Sequence, residues 1–144
     1  TPVRLIDMGA PAFMVATALQ AVVAQRLIRV NCESCTEPYE LSGAESSWLK
    51  TCGEQLDGHA KFMRGRGCSH CNGTGFQGRM GIYELLEMND ALVDAINRGD
   101  PSGFMRMASE SMRSRTLQSH ALALATKGRT AIAEVVRVAS SVAD

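Results

Sequence analysis

Lysine is scarce in this sequence: there are three, Lys50, Lys61 and Lys127, and none of them follows a glycine. A phosphate-binding P-loop requires Gly-Lys followed by Ser or Thr, so the sequence contains no such loop. Neither Gly-x-Ser-x-Gly nor His-Glu-x-x-His occurs, which removes the signatures of a serine hydrolase and of a zinc protease. We therefore expect the 144 residues not to hydrolyse ATP by themselves.

Net charge, aromatic residues and long apolar runs are also lacking. Because 15 Lys and Arg balance 15 Asp and Glu, and aromatic residues make up 5% of the chain, we expect no nucleic-acid partner. The longest apolar run, residues 12–23, is interrupted by Thr17 and Gln20 and is too short for the roughly 20 residues of a membrane span. The sequence starts at Thr1 without a signal-peptide pattern, and we expect it to be a piece of a longer protein.

Apolar residues recur every three or four positions from Ala12 to Val30, which predicts one amphipathic helix over Pro11–Val30. Its wide apolar face indicates burial against a larger body. Arg26 and Arg29 would then lie in its last turn, where positive side chains favour the helix dipole.

The middle of the chain carries signals of a short helix and a strand. Ser42 and Glu45 form a capping-box pattern that predicts a short helix to about Cys52, with Gly53 just past its end. Apolar residues on one face of residues 78–88 predict a strand.

The last third of the chain is predicted to be helical. Asn89 and Asp100-Pro101 mark two helix starts, and further helices are predicted over about 117–127 and from about Thr130. Their short connections predict a small antiparallel bundle. The methionines at helical spacing are interpreted as core filling, with a partner-binding groove as the alternative.

Two cysteine pairs with identical spacing, Cys32-x-x-Cys35 and Cys68-x-x-Cys71, are the strongest chemical signal. Each pair can direct two sulfurs at one ion, and two pairs complete a tetrahedron. Soft thiolates favour Zn²⁺ over Ca²⁺ or Mg²⁺, and an iron–sulfur centre is the minority alternative. Four thiolates leave no open coordination position, so the site is predicted to be structural and not catalytic.

The cysteines also allow two interpretations other than a metal site, disulfides and a redox dithiol. A fifth cysteine and the missing secretion signal argue against two disulfides, and neither pair has the strand-to-helix setting of a redox dithiol. Cys52 is interpreted as a small core residue. His70 lies inside the second pair and could compete as a ligand, but four cysteines already suffice. His59 and His120 are interpreted as surface or packing residues.

Five stretches match one protein family in the right order: Arg4-Leu5-Ile6-Asp7-Met8-Gly9, Ala24-Gln25-Arg26-Leu27-Ile28-Arg29, the four cysteines with Pro38-Tyr39, Gly73 to Glu84, and Gly128-x-Thr130-x-x-x-Glu134-Val135-Val136-Arg137-Val138. With them the chain resembles the C-terminal part of the bacterial ATPases of type II secretion and type IV pilus assembly. The second cysteine pair with its glycines also resembles the repeat of J-protein cysteine-rich regions. A zinc chaperone or peptide-binding module is therefore the alternative function, and a nucleic-acid-binding zinc module a third.

The resemblance implies a hexameric cytoplasmic motor that lies peripherally at the bacterial inner membrane. ATP and Mg²⁺ would bind in the parent protein, through motifs upstream of Thr1. The four cysteines would correspond to the zinc ligands of the family. The implied partners are the upstream ATPase core, neighbouring protomers and an inner-membrane secretion or pilus platform protein.

The implied fold class is α+β and predominantly helical, the tail of a RecA-type P-loop ATPase domain with a tetracysteine zinc insertion and a C-terminal helical bundle. We predict four segments: 1–31 as the last helix and flank of the core, 32–77 as the zinc subdomain, 78–88 as a strand returning to the core, and 89–144 as the helical subdomain. Because arginine suits bidentate contacts with phosphate or carboxylate, Arg26 and Arg79 are predicted to contact nucleotide or a neighbouring subunit.

Overall fold

The computed structural model describes residues 2–52 and 60–142. The elements are, in order, helices α1 (Pro2–Asp7) and α2 (Ala12–Ala18), strands β1 (Ala21–Asn31) and β2 (Thr36–Pro38), helix α3 (Gly43–Thr51), strand β3 (Met63–Gly65), a 3₁₀ turn (Ser69–Cys71), strand β4 (Phe76–Glu87), and helices α4 (Asp90–Asn97), α5 (Pro101–Met112), α6 (Leu117–Thr126) and α7 (Ile132–Val142). The prediction of mixed helix and sheet is confirmed. The predictions made for Gly53 and His59 lie outside the described residues. In the part of the chain that is described, no helix is long and apolar enough to cross a bilayer.

The predicted helix over Pro11–Val30 is wrong beyond its first two turns. Helix α2 stops at Ala18, because Leu19 is extended with φ −75° and ψ 116°, and β1 begins at Ala21. The segment is rich in β-branched valine and isoleucine, which pack well in strands, and a wide apolar stripe does not distinguish a helix from a strand. Arg26 and Arg29 therefore lie on a strand, and the predicted interaction with a helix dipole is also wrong.

Strands β1 and β4 form a two-stranded sheet. The amide of Met88 donates to the carbonyl of Gln20 at 3.0 Å, and the amide of Cys32 donates to the carbonyl of Gly75 at 2.9 Å. Early residues of β1 therefore pair with late residues of β4, so the two strands are antiparallel. The strand predicted over 78–88 is confirmed and starts two residues earlier.

The described chain divides into two compact units, and the division falls within both long strands. The first unit comprises residues 1–24 and 83–116. Its core is formed by α2, α4, α5 and the end of β4, and its buried residues are Ala16, Leu86, Leu92, Ala95, Ile96, Phe104 and Ala108. Both predicted helix starts are confirmed, since Asn89 Oδ1 accepts from the amide of Leu92 at 3.0 Å and Asp100 Oδ1 from that of Gly103 at 2.8 Å.

The methionines of this unit differ in how far they are buried. Those that pack half-buried against the core are Met88, Met107 and Met112. For these three the prediction of core filling is confirmed. It is wrong for the three that are more than half exposed, which are Met8, Met14 and Met105.

The second unit comprises residues 25–82 and 117–144. Strands β2 and β3 are antiparallel, with Thr36 opposite Gly65 and Pro38 opposite Met63, and helices α6 and α7 pack against each other. The contacts therefore form two helix groups, α4 with α5 and α6 with α7, where the sequence predicted one bundle. The four segments drawn from the sequence stay a prediction.

Candidate metal centre

The first cysteine pair lies in the turn that follows β1. The amide of Cys35 donates to the carbonyl of Cys32 at 3.2 Å, which closes a tight turn. The carbonyl of Cys35 in turn accepts from the amide of Arg66, 3.1 Å away. This bond ties the first pair to the chain that leads into the second.

The second cysteine pair is built around the 3₁₀ turn before β4. Asn72 ends this turn in the left-handed conformation, with φ 52° and ψ 40°. The amide of Gly73 donates to the carbonyl of Cys68 at 2.9 Å, and that of Thr74 to the carbonyl of Cys71 at 3.1 Å. Both cysteines thus lie within one hydrogen-bonded loop.

Two glycines allow the backbones on either side of this loop to touch. A Cβ on Gly65 would overlap the backbone of Gly75, and a Cβ on Gly75 would overlap the carbonyl of Gly65. Gly75 also has a φ of 77°, which side-chain-bearing residues rarely adopt. The close approach of β3 to the start of β4 therefore depends on the absence of both side chains.

The four predicted ligands converge on one point. Sγ of Cys32 is 3.8 Å from Sγ of Cys68, and Sγ of Cys35 is 3.9 Å from Sγ of Cys71. Within the second pair, Sγ of Cys68 is 3.7 Å from Sγ of Cys71. All four sulfurs lie within 4.8 Å of one another. All are free thiols, and the separations far exceed the roughly 2.05 Å of a disulfide bond. The cluster can hold a metal ion, and its donor set is compatible with zinc.

Hydrogen bonds inside the loop favour negative charge on one sulfur. Burial is the largest single influence and would raise the pKa of Cys71. The amides of Cys68 and Gly75, each donating to its Sγ at 3.2 Å, and the thiols of Cys68 and Cys35 together outweigh burial and lower the pKa. Burial raises the pKa of Cys35, and the neighbouring thiols add to that rise. A cation at the centre of the cluster would favour the thiolate form of all four.

The other residues singled out in the sequence lie outside the cluster. Arg26 on β1 and Arg79 on β4 are exposed, and neither forms an ion pair with any residue of the described part. His70 is exposed and is not among the clustered residues. Cys52 is half-buried after the end of α3 and is also not in the cluster.

Two buried polar residues of the second unit were not identified as site residues from the sequence. The Nδ2 atom of Asn31 donates to the carbonyls of Met63 at 3.0 Å and Gly128 at 3.1 Å. Glu134 is buried on α7 and pairs with Arg29 of β1. A single acidic residue on the apolar face formed by Ile132, Val135 and Val138 was the available signal for Glu134. Asn31 directly precedes a cysteine but carries no comparable signal.

Comparison with known proteins assigns the chain to a family. The family described as "Type II/IV secretion system protein" matches residues 1–137. Type II secretion system protein E of Dickeya dadantii is 36% identical over 136 residues, which is 94% of this chain and 26% of that protein. Type II secretion system ATPase E of Vibrio cholerae is 36% identical over 137 residues, with 94% and 26% covered. Type IV pilus assembly ATPase PilB of Thermus thermophilus is 32% identical over 133 residues, with 92% and 15% covered.

The chain spans about a quarter of the length of the type II secretion relatives that it matches. The match extends over both cysteine pairs and over Glu134, the buried acid of α7. The chain belongs to the family of type II/IV secretion system proteins.

Proposed function

We propose that Cys32, Cys35, Cys68 and Cys71 bind one zinc ion with a structural role. Sulfurs placed tetrahedrally at about 2.3 Å from zinc would be about 3.8 Å from one another. Three of the measured separations are 3.7, 3.8 and 3.9 Å. This agreement is the observation that carries the proposal.

The hydrogen bonds around the cluster indicate what the ion would stabilise. Cys32 continues directly from Asn31, whose amide donates to the carbonyl of Arg129 at 2.9 Å and whose side chain bonds to Met63 and Gly128. Holding Cys32 to the second pair therefore also fixes the end of β1 beside the α6–α7 connection. When bound, zinc supplies folding free energy to this network.

Metal analysis of the purified chain tests the site. We expect one zinc ion per chain under reducing conditions, and loss of the ion in the double variant Cys68→Ser/Cys71→Ser. Cys52→Ser is the matched control and should keep the zinc, because Cys52 lies outside the cluster. A metal-free wild type whose thermal unfolding is unaffected by chelators would contradict the proposal. Iron in place of zinc would indicate an iron–sulfur cluster at the four cysteines.

We further propose that the chain forms part of a cytoplasmic hexameric ATPase that drives type II secretion or pilus assembly at the inner membrane. The family match and the names of the relatives support this. The ATP- and Mg²⁺-binding motifs would lie upstream in a longer protein, since the chain has no Gly-Lys-Ser or Gly-Lys-Thr. Neighbouring protomers and an inner-membrane platform protein would be its partners.

The long β1–β4 ribbon supports the proposal of a RecA-type core in the parent protein. These strands have 11 and 12 residues, and within the described part they pair only with each other. β1 also leaves Val23 64% and Leu27 51% exposed. A two-stranded ribbon is marginal in water, so further strands from the ATPase core would pair with and cover it.

An ATP hydrolysis assay distinguishes the 144-residue chain from the longer parent protein. The 144 residues should show no turnover, whereas the parent protein should hydrolyse ATP and lose secretion or pilus assembly when the Cys68/Cys71 pair is replaced. Metal-dependent turnover by the 144 residues alone would contradict the assignment of the ATPase motifs to upstream sequence. Peptide capture by the chain, without an ATPase parent, would favour the J-protein alternative.

Arg26 and Arg79 are proposed to contact nucleotide or a neighbouring protomer in the assembled motor. Their exposure on β1 and β4 supports an external partner. In the parent protein, Arg26→Gln and Arg79→Gln should lower ATP turnover or hexamer formation. Arg98→Gln is the control, because Arg98 is exposed and already paired with Asp94 at 2.8 Å. Equal ATP turnover and hexamer formation in all three variants would contradict the proposed role of Arg26 and Arg79.

A further inference from the structure

Asn72 and Gly73 form the only Asn-Gly step in the sequence, and it lies inside the second cysteine loop. Asparagine followed by glycine is the dipeptide most prone to cyclise, because glycine offers no side chain to hinder attack by its nitrogen. Asn72 is exposed. It is also the only non-glycine residue with a positive φ in the part of the chain that is described.

The folded loop holds this step in a geometry that cannot cyclise. At ψ 40°, Cβ of Asn72 and the nitrogen of Gly73 lie on opposite sides of the Cα–C bond, whereas ring closure needs them on the same side. The Gly73 amide is also engaged by the carbonyl of Cys68 at 2.9 Å. Rotation about ψ of Asn72 would break this bond and move the chain that follows Cys71.

We propose that Asn72–Gly73 is a deamidation site and that bound metal prevents the reaction there. This inference rests on the proposed zinc site. With the metal removed, only hydrogen bonds hold Cys68 and Cys71 together, and ψ of Asn72 can rotate whenever they open. The Gly73 nitrogen then attacks Cγ of Asn72, the Cγ–Nδ2 bond breaks, and Nδ2 leaves as ammonia with the Gly73 proton. Solvent water opens the resulting imide to Asp or isoAsp, with no oxidation or reduction.

The isoAsp product would prevent the loop from re-forming. It inserts one extra backbone carbon between Cys71 and Gly73, within the segment that places the Gly73 amide 2.9 Å from the Cys68 carbonyl and the Gly75 amide 3.2 Å from Sγ of Cys71. Both bonds depend on the length of that segment. Prolonged loss of metal therefore becomes an irreversible loss of metal-binding capacity.

Peptide mass spectrometry tests the inference. The reduced chain is incubated in mildly alkaline buffer, either zinc-loaded or stripped by a chelator, and conversion of each asparagine is followed in the same digests. We expect Asn72 to convert at least about tenfold faster in the stripped chain, since opening the loop costs at least one hydrogen bond. Asn89 and Asn97, which precede Asp and Arg, are internal controls and should convert slowly in both states.

A matched variant tests the consequence. Asn72→Gly accepts the positive φ without strain and has no side-chain amide. After incubation in the stripped state the variant should rebind zinc fully, whereas the wild type should lose zinc binding in step with isoAsp formation. Equal Asn72 conversion in both states, or equal rebinding by both chains, would overturn the inference. A chain that contains no zinc at the outset would instead refute the zinc site itself.

Discussion

Arg29 on β1 and Glu134 on α7 form an ion pair between residues 105 positions apart in sequence. Glu134 is 1% exposed, and its carboxylate accepts from Nε of Arg29 at 2.9 Å and from the Arg29 amide at 3.1 Å. Nε and Nη2 of Arg137 donate to the same carboxylate at 3.1 and 3.0 Å. A buried carboxylate is tolerated when its lost hydration is replaced in this way, so the cluster fixes α7 to β1.

Replacing Glu134 by glutamine should destabilise the chain by about 2 kcal/mol, because the buried side chain loses its charge-assisted hydrogen bonds to two half-exposed guanidinium groups. Chemical denaturation of the zinc-loaded chain measures this change. Asp94→Asn is the control, since the Asp94–Arg98 pair is exposed and should contribute less than about 0.5 kcal/mol. Equal effects of the two substitutions would show that the buried cluster contributes no more than a surface pair.

The same carboxylate predicts a pH dependence of stability. Burial alone would raise the pKa of Glu134, but Arg29 and Arg137 outweigh it and lower the pKa from 4.5 to about 2. A carboxyl whose pKa is lowered by folding contributes its stabilisation above its unfolded pKa and loses it as the pH falls through the folded value. The stability difference between wild type and Glu134→Gln should therefore shrink between pH 4.5 and pH 2. Comparing two chains with the same cysteines separates this effect from acid release of metal; a difference that stays constant would contradict it.

Asn31→Ala should destabilise the second unit by about 2 kcal/mol or more, because it leaves the carbonyls of Met63 and Gly128 without their donor. Denaturant unfolding gives the magnitude. The control is Asn97→Ala at the exposed end of α4, which should change stability by less than about 0.5 kcal/mol. An Asn31→Ala chain as stable as this control would show that both carbonyls find other partners.

Gly65→Ala should destabilise the chain by about 2–3 kcal/mol and weaken zinc retention, because its Cβ would overlap the backbone of Gly75. Gly43→Ala is the control: nothing lies within 4 Å of its Cβ position, and alanine favours the first turn of α3. Competition with a chromogenic chelator measures retention. Unchanged zinc affinity in Gly65→Ala would mean that the loop adjusts without disturbing the sulfurs.

Ser42→Ala should cost about 1 kcal/mol through loss of the cap of α3. The hydroxyl of Ser42 accepts from the Glu45 amide at 3.2 Å, and the Glu45 carboxylate accepts from the Ser42 amide at 2.9 Å. Ser42→Thr should preserve both bonds and most of the stability. Denaturant unfolding distinguishes the two variants, and equal loss in both would assign the effect to something other than the cap.

Signals confined to a few neighbouring residues were interpreted correctly. The capping box at Ser42 and the caps at Asn89 and Asp100 each depend on atoms within four residues of one another. Such patterns fix their own geometry whatever surrounds them. The helix predicted over Pro11–Val30 failed because apolar spacing alone does not say what lies opposite each face; pairing with β4 made residues 21–31 a strand.

By itself, the sequence determined the spacing within each cysteine pair, the helix caps, the absence of a phosphate-binding loop and, through its matching stretches, the family. Only the tertiary structure decided that β1 pairs with β4, that Glu134 is buried between Arg29 and Arg137, and that Asn31 bonds to Met63 and Gly128. Local geometry follows from bonds between near neighbours. Burial and long-range pairing depend on which surfaces come into contact on folding. The contact between Arg29 and Glu134, 105 positions apart, therefore could not be predicted from the spacing of the two residues.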